Sequence, residues 1–144
     1  MQRSGSAVWH GAGKDGTGTV STGSGALREQ PYSFKTRFES EDGRAGTNPE
    51  ELIAAAHAGC FSMATAFQLA GAGFTPDELR TEAQLTMEQG GGGWTIKAIR
   101  LVLRARVPGI DDAKFQELAA AAKAGCPVSR VLNAEITLDA QLES

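Results

Sequence analysis

The chain has 144 residues, of which 41% are hydrophobic, and its formal net charge is −3. This length and composition are typical of one domain, residues 1–144, that buries most of its apolar surface. A surface that binds phosphate backbones needs a stripe of basic side chains. The acidic balance therefore argues against a nucleic-acid partner.

The N-terminus and the cysteine content favour a cytoplasmic protein. Residues 1–9 contain Arg3 but lack an apolar segment of the length that a secretory signal requires. A domain of this size, with two cysteines, does not need a disulfide for stability, and a reducing compartment would not favour one. The two thiols therefore require another explanation.

Short β-type segments separated by glycine open the chain, at residues 6–10, 17–22 and 32–38. Apolar and polar residues alternate along the third segment, which is the pattern of a half-buried strand. Arg37 falls on the polar side of this predicted strand.

A long helix is predicted to begin at residue 49. Asn48 is a cap residue, Pro49 suits the first helical position, and Glu51 follows the cap by three residues. No charged residue occurs between Leu52 and Phe74, which predicts a helix surrounded by protein on nearly all sides.

The rival interpretation of this charge-free run is a membrane span, because the run exceeds the roughly 20 residues that cross a bilayer. The run is rich in Ala, Gly, Ser and Thr, contains His57 and Gln68, and ends near Pro76. Such a composition is too weakly apolar for insertion, so no membrane partner is expected.

The second half of the chain predicts two strands, a helix and a final strand. Residues 79–87 and 94–107 form a hairpin through the glycines at 90–93. A helix capped by Asp111 or Asp112 ends at Gly125, and residues 134–142 alternate as a strand. The predicted order is βββ-α-ββ-α-β, an α+β fold.

The two cysteines are the candidate reactive groups. Cys60 lies in the middle of the first predicted helix, and Cys126 follows the second. Neither belongs to a Cys-x-x-Cys pair, which argues against a thioredoxin-type motif or a structural zinc site. A zinc site of His10, His57, Cys60 and Cys126 is an alternative, as is a packing role for each thiol, but no metal is expected.

The sequence surroundings of the two thiols differ. Cys126 precedes Pro127, where a short helix is predicted to start, and a helix N-terminus lowers the pKa of a thiol. Burial raises the pKa of Cys60, so a nearby cation is needed to stabilise its thiolate. Arg37 is the candidate cation, and Glu50 is the candidate carboxylate partner of Arg37. Glu50 is about 15 Å along the helix from Cys60. Either Arg37 spans part of this gap or the pair comes from a second subunit, which we favour.

Three segments of the sequence together resemble one family: residues 46–52, 55–63 and 124–129, which read GTNPEEL, AAHAGCFSM and AGCPVS. They resemble the OsmC/Ohr family, named for osmotically inducible protein C and organic hydroperoxide resistance protein, and the OsmC branch most of all. The likeness extends from about residue 4 to the C-terminus. It implies an α+β fold with two central helices packed among strands of an intertwined homodimer.

The resemblance also implies a mechanism. Cys60 is similar to the family's peroxidatic cysteine and Cys126 to its resolving cysteine, with Arg37 and Glu50 as the activating pair. Family branches take the arginine from different points of the chain, so Arg28 or Arg44 is an alternative to Arg37. The Cys60 thiolate would attack the peroxide and become a sulfenic acid, with which Cys126 forms a disulfide. No cofactor is implied; an external dithiol, such as the lipoyl proteins that serve the Ohr branch, reduces the disulfide.

The expected activity is reduction of organic hydroperoxides, and less well of hydrogen peroxide, in oxidative and osmotic stress defence. Phe61, Met63 and Phe67 are candidates to line the substrate pocket, although core packing is the commoner role of such residues. His57 is interpreted as a structural or supporting residue. The alternative function is a non-enzymatic thiol sensor or binding module that uses the same disulfide. A hydrolase using Cys60 and His57 is a weaker alternative, because no group that would orient the histidine is evident.

Overall fold

An antiparallel sheet of three strands forms the N-terminal part of the chain. Its strands are β1 (Gly5–His10), β2 (Thr17–Thr22) and β3 (Gln30–Ser33), hydrogen-bonded in the order β1-β2-β3. The structure, a computed structural model, describes residues 1–143 and consists of two compact units, Met1–Leu52 and the remainder from Ile53.

Two aromatic rings pack across this first sheet at a glycine. The ring centroids of Trp9 and Tyr32 lie 5.4 Å apart. A Cβ atom at Gly18 would lie 2.6 Å from Cε3 of Trp9 and 2.8 Å from Cε1 of Tyr32. Because no larger residue fits between the two rings, the glycine permits this contact across β2.

The segment predicted as a strand over residues 32–38 is a strand only to Ser33 and then becomes helix α1 (Phe34–Phe38). The hydroxyl of Ser33 accepts the backbone N–H of Thr36, and the hydroxyl of Thr36 accepts the N–H of Ser33, so the helix is capped reciprocally. The rings of Phe34 and Phe38, four residues apart, pack at 4.9 Å. The prediction that Arg37 lies on the polar side of a strand is therefore wrong, and Arg37 lies on α1.

Helix α2 (Pro49–Gly71) begins where the cap signals predict. The side-chain oxygen of Asn48 accepts the backbone N–H of Glu51 at 2.8 Å. The hydroxyl of Thr47 donates to the Glu51 carboxylate at 2.9 Å. These two bonds, with proline at the first helical position, fix the start of the helix.

The charge-free part of α2 buries one face of the helix. Its buried residues recur at every fourth position: His57, Phe61, Thr65 and Leu69. On another face, Met63 is 65% exposed and Phe67 is 71% exposed. The predicted burial on nearly all sides is therefore wrong for the single chain. By length and composition alone, with mean hydropathy 1.4, this helix would be able to cross a membrane, a property that it shares with core helices of soluble proteins.

The second unit contains most of α2, a three-stranded sheet and two further helices. Strands β4 (Glu78–Gly90) and β5 (Gly93–Arg106) form the predicted hairpin, and β6 (Glu135–Glu143) pairs with β5 in parallel. A parallel pair needs a crossover connection, which here contains α3 (Asp112–Gly125) and α4 (Pro127–Val131). The N-cap of α3 is Asp111, whose carboxylate accepts the backbone N–H of Lys114.

Alternation along β5 builds the core of this unit. Ile99, Leu101, Leu103 and Ala105 are buried, while the arginines between and after them face outward. The core also includes residues of the helices that cover the sheet: Phe61, Leu69, Phe115, Leu118, Ala119, Ala122 and Cys126. The predicted α+β class is confirmed. Helix α4 is the short helix expected at Pro127, whereas α1 was not predicted.

Candidate functional site

The two cysteines meet in the second unit. Cys60 lies on α2 and is half-buried, whereas Cys126 caps the N-terminus of α4 and is fully buried. Their Sγ atoms are 2.8 Å apart, which is longer than the roughly 2.05 Å of a disulfide bond. The structure therefore contains two free thiols in contact, contributed by residues 66 positions apart.

The surroundings of the two thiols shift their pKa values in opposite directions. Burial raises the pKa of the Cys60 thiol, and the hydrogen bond with Cys126 raises it further, against a smaller lowering by the backbone N–H of Val128. Burial also acts to raise the pKa of Cys126, but hydrogen bonds from Cys60, Ser129 and Val128 together outweigh it and lower this pKa. Cys126 is thus the more acidic thiol within this chain, because the backbone turns into α4 around it.

A hydrogen bond that the sequence did not predict extends this cluster. Nε2 of His57 lies 2.7 Å from the hydroxyl oxygen of Ser129, across 72 positions of sequence. The backbone N–H of Ser129 in turn donates to Cys126, and the Ser129 hydroxyl lies within hydrogen-bonding reach of the same sulfur. His57 is fully buried, and among the described residues its Nδ1 atom has no hydrogen-bond partner. Ser129 is therefore the orienting group for His57 that the sequence did not reveal.

Arg37 and Glu50 form an ion pair within the first unit. The guanidinium donates to Glu50 Oε1 from Nη2 at 2.6 Å and from Nε at 2.9 Å. The Glu50 side chain is 14% exposed, and the Arg37 guanidinium also lies 4.9 Å from the ring centroid of Phe38. Among the described residues, Glu50 therefore pairs with Arg37, and not with Arg28 or Arg44, the two other candidate arginines.

The three candidates for the substrate pocket lie in different environments. Phe61 has no exposed surface and belongs to the core, whereas Met63 and Phe67 lie on the exposed face of α2. A separate recess of about 260 Å³ in the first unit is lined by Arg37 and by aromatic side chains, namely Trp9, Tyr32, Phe34 and Phe38. Among residues 1–143, no group of three or more His, Cys, Asp or Glu side chains is arranged to hold a metal ion.

The protein-family model described as OsmC-like protein matches residues 40–141. The chain belongs to the OsmC family. It is 54% identical to peroxiredoxin OsmC of Escherichia coli strain K12 over 144 residues, covering 100% of this chain and 99% of that protein. It is 31% identical to organic hydroperoxide resistance protein OhrB of Bacillus subtilis over 72% of this chain and 74% of that protein.

The crystal structure of Bacillus subtilis OhrB has the same fold, with a TM-score of 0.69 and 25% identity over 97% of this chain and 98% of that one. The predicted family and fold are confirmed by these members of the OsmC family. The predicted enzyme class, a cysteine-based peroxidase of hydroperoxide defence, is confirmed by the same relatives. The roles of individual residues in this OsmC-family chain stay predictions.

The buried histidine of this OsmC-family site should make stability depend on pH. Burial lowers the pKa of His57 below its ordinary value of about 6.5. Just below that pH, His57 is protonated in the unfolded chain but stays neutral in the folded one. The free energy of unfolding should therefore fall as the pH falls through about 6.5. Thermal unfolding of the wild type and of His57→Gln between about pH 7 and pH 5 measures this contribution. An equal fall in both proteins would contradict it.

Proposed function

We propose that this chain reduces organic hydroperoxides to alcohols, and hydrogen peroxide less well, as part of oxidative and osmotic stress defence in the cytoplasm. The observation that carries the proposal is the contact of a half-buried thiol on α2 with a second, hydrogen-bonded thiol at the start of α4. A peroxidase that passes through a disulfide needs such a pair, because the sulfenic acid must meet the second sulfur before it is oxidised further.

In the proposed cycle, the Cys60 thiolate attacks the outer oxygen of the hydroperoxide. The O–O bond breaks, the alkoxide takes a proton and leaves as an alcohol, and Cys60 becomes a sulfenic acid. Cys126 then attacks the Cys60 sulfur, which releases water and forms the Cys60–Cys126 disulfide. An external dithiol, such as a lipoyl protein, reduces this disulfide and is itself oxidised. Met63 and Phe67 are proposed to contact the organic part of the substrate.

Activation of Cys60 is assigned to the Arg37–Glu50 ion pair. A guanidinium stays charged at every physiological pH, and a cation near a thiol favours the thiolate. Glu50 holds the guanidinium by three hydrogen bonds. These charge-assisted bonds are strengthened by the low exposure of the Glu50 carboxylate. The pair acts on Cys60 either of its own chain or of a second subunit, and we favour the second arrangement.

The two units are proposed to act as a single domain within a homodimer. The family match, residues 40–141, runs across the boundary between Leu52 and Ile53. The exposed apolar face of α2, including Met63 and Phe67, is the surface that a second copy would cover. The family resemblance implies a homodimer, and the choice of this face as its interface is part of the proposal.

A charge on this face should separate the subunits. Phe67→Asp is expected to convert a dimer into a monomer, because a carboxylate in an apolar interface must be desolvated. Sedimentation velocity measures the change. Val131→Asp is the matched control, since Val131 is an apolar side chain of similar exposure, 77%, on α4. A wild-type monomer, or a Phe67→Asp dimer of unchanged stability, would refute this interface.

Multiple turnover tests the proposed activity. The wild-type protein is mixed with an excess of an alkyl hydroperoxide and a dithiol, and peroxide loss is followed over many equivalents. An enzyme consumes peroxide until the dithiol is exhausted, at a rate proportional to protein concentration. Consumption of a single equivalent followed by a stop would indicate the alternative, a thiol sensor that is switched by the same disulfide.

A further inference from the structure

His57, Ser129 and Cys126 form a connected chain of hydrogen-bonding groups that the proposed cycle does not use. Nε2 of His57 is 2.7 Å from the Ser129 hydroxyl, and that hydroxyl lies within hydrogen-bonding reach of the Cys126 sulfur. The histidine and the cysteine are both fully buried. Polar groups in such surroundings interact more strongly than in water.

Within residues 1–143, Nδ1 of His57 has no hydrogen-bond partner, and this sets the direction of the hydrogen bonds from His57 to Cys126. If the proton were on Nδ1, a buried N–H would have no acceptor, and the Ser129 hydroxyl would donate to Nε2 and be lost to Cys126. If the proton is on Nε2, His57 donates to Ser129 and Ser129 donates to Cys126. The second tautomer makes both hydrogen bonds and leaves only a lone pair unmatched.

We propose that His57 and Ser129 are positioning residues whose hydrogen-bond relay holds Cys126 as a thiolate, so that Cys126 is the leaving group when an external thiol reduces the disulfide. The proposal rests on the proposed function in that the Cys60–Cys126 disulfide must form. It goes beyond that function by fixing which sulfur the reductant attacks.

The exchange step follows from the different burial of the two cysteine residues. Cys60 is half-buried and Cys126 is fully buried, so the thiolate of the reductant reaches the Cys60 sulfur. A bond forms between the reductant's sulfur and Cys60, the Cys60–Cys126 bond breaks, and the electron pair moves to Cys126. A leaving thiol of lower pKa departs faster. The second thiol of the reductant then attacks the mixed disulfide and releases Cys60.

The relay is tested without peroxide. A negative result for the relay can then be distinguished from a negative result for the proposed peroxidase activity. In Cys60→Ser protein, ultraviolet thiolate absorbance reports the titration of Cys126 alone. Adding Ser129→Ala should raise the pKa of Cys126, and adding His57→Leu should raise it as well. His57→Gln, which keeps an N–H donor near the position of Nε2, should restore the lower pKa. Ser62→Ala is the matched control, because Ser62 donates a comparable part-buried hydrogen bond to Thr81.

The same substitutions in the two-cysteine protein should slow disulfide reduction. The disulfide is formed with a mild oxidant, and its reduction by a dithiol should fall about tenfold in Ser129→Ala, the loss expected for one hydrogen bond to a charged group. With a monothiol, peptide mass spectrometry should find the adduct on Cys60. Unchanged titration and reduction in folded Ser129→Ala, or an adduct on Cys126, would overturn the proposal.

A measurement on the unmodified protein covers the case in which the variants do not fold. Nitrogen-15 NMR distinguishes the two neutral tautomers of histidine. The chain has two histidines, so His10→Gln assigns the signals of His57. A proton on Nε2 is expected, and a proton on Nδ1 would overturn the relay, because Ser129 would then donate to His57 rather than to Cys126.

Discussion

Replacing Cys60 with serine is expected to reduce peroxide turnover by about a thousandfold or more, to the rate of the uncatalysed reaction. A serine hydroxyl is not ionised near neutral pH and cannot take the place of a thiolate that attacks the O–O bond. Cys126→Ser should behave differently, because Cys60 can still reduce a first equivalent of peroxide. The sulfenic acid would then persist and be trapped on Cys60 by a carbon nucleophile such as dimedone.

The comparison of the two variants matters because Cys126 is the more acidic thiol within this chain. Rapid-mixing measurements of the first equivalent, followed by mass spectrometry of the trapped adduct, separate the two assignments. If Cys60→Ser retained the first reduction and Cys126→Ser lost it, the roles of the two sulfurs would be the reverse of those proposed. Thermal unfolding of both variants establishes that each is folded.

Replacing Arg37 with methionine is expected to slow the first reduction of peroxide by about a hundredfold, the size of effect found when one stabilising charge or donor is removed from an active site. Methionine keeps much of the side-chain length but removes the positive charge, so the pKa of Cys60 should rise. Glu50→Gln should have a smaller effect in the same direction, since the guanidinium remains but loses its ionic partner. Arg44→Met is the matched control and should leave the rate unchanged.

Mixing two impaired variants distinguishes the two arrangements of this site. Cys60→Ser and Arg37→Met chains are unfolded together and refolded in equal amounts, so that half of the dimers contain one chain of each kind. If Arg37 serves the partner's thiol, each mixed dimer has one complete site, and the activity should recover to about a quarter of wild type. If Arg37 serves its own chain, the mixture should be no faster than Arg37→Met alone. Full activity of Arg37→Met alone would remove Arg37 from the mechanism.

The predictable parts of the fold were those with strong local signals. Asn48 and Pro49 marked the start of α2, the four glycines at 90–93 marked a hairpin, and alternation marked β6, because caps, turns and period-2 patterns depend on neighbouring residues alone. The error at residues 34–38 has the same origin. Two phenylalanines four apart suit both a strand and a helix face, and the reciprocal cap between Ser33 and Thr36 decides for the helix.

Parts of the site that depend on tertiary contacts were less accessible. The cysteines, Arg37 and Glu50 were identified from residue type and family motifs, and the structure brings them together as two pairs. The bond between His57 and Ser129 crosses 72 positions and has no local pattern. Ser129 does follow Cys126 closely, so a hydroxyl three residues after a thiol at a helix start was the available signal.

The separation of the two sulfurs along the chain has a mechanical consequence. A bond between Cys60 and Cys126 closes a loop of 66 residues that contains β4, β5 and α3. Restricting the unfolded chain by a loop of this length is worth about 4 kcal/mol. The oxidised protein should therefore melt at a higher temperature than the reduced one, and each turn of the proposed cycle would raise and then lower the free energy of unfolding. Calorimetry with and without a reductant would thus serve as a direct gauge of the redox state of the population.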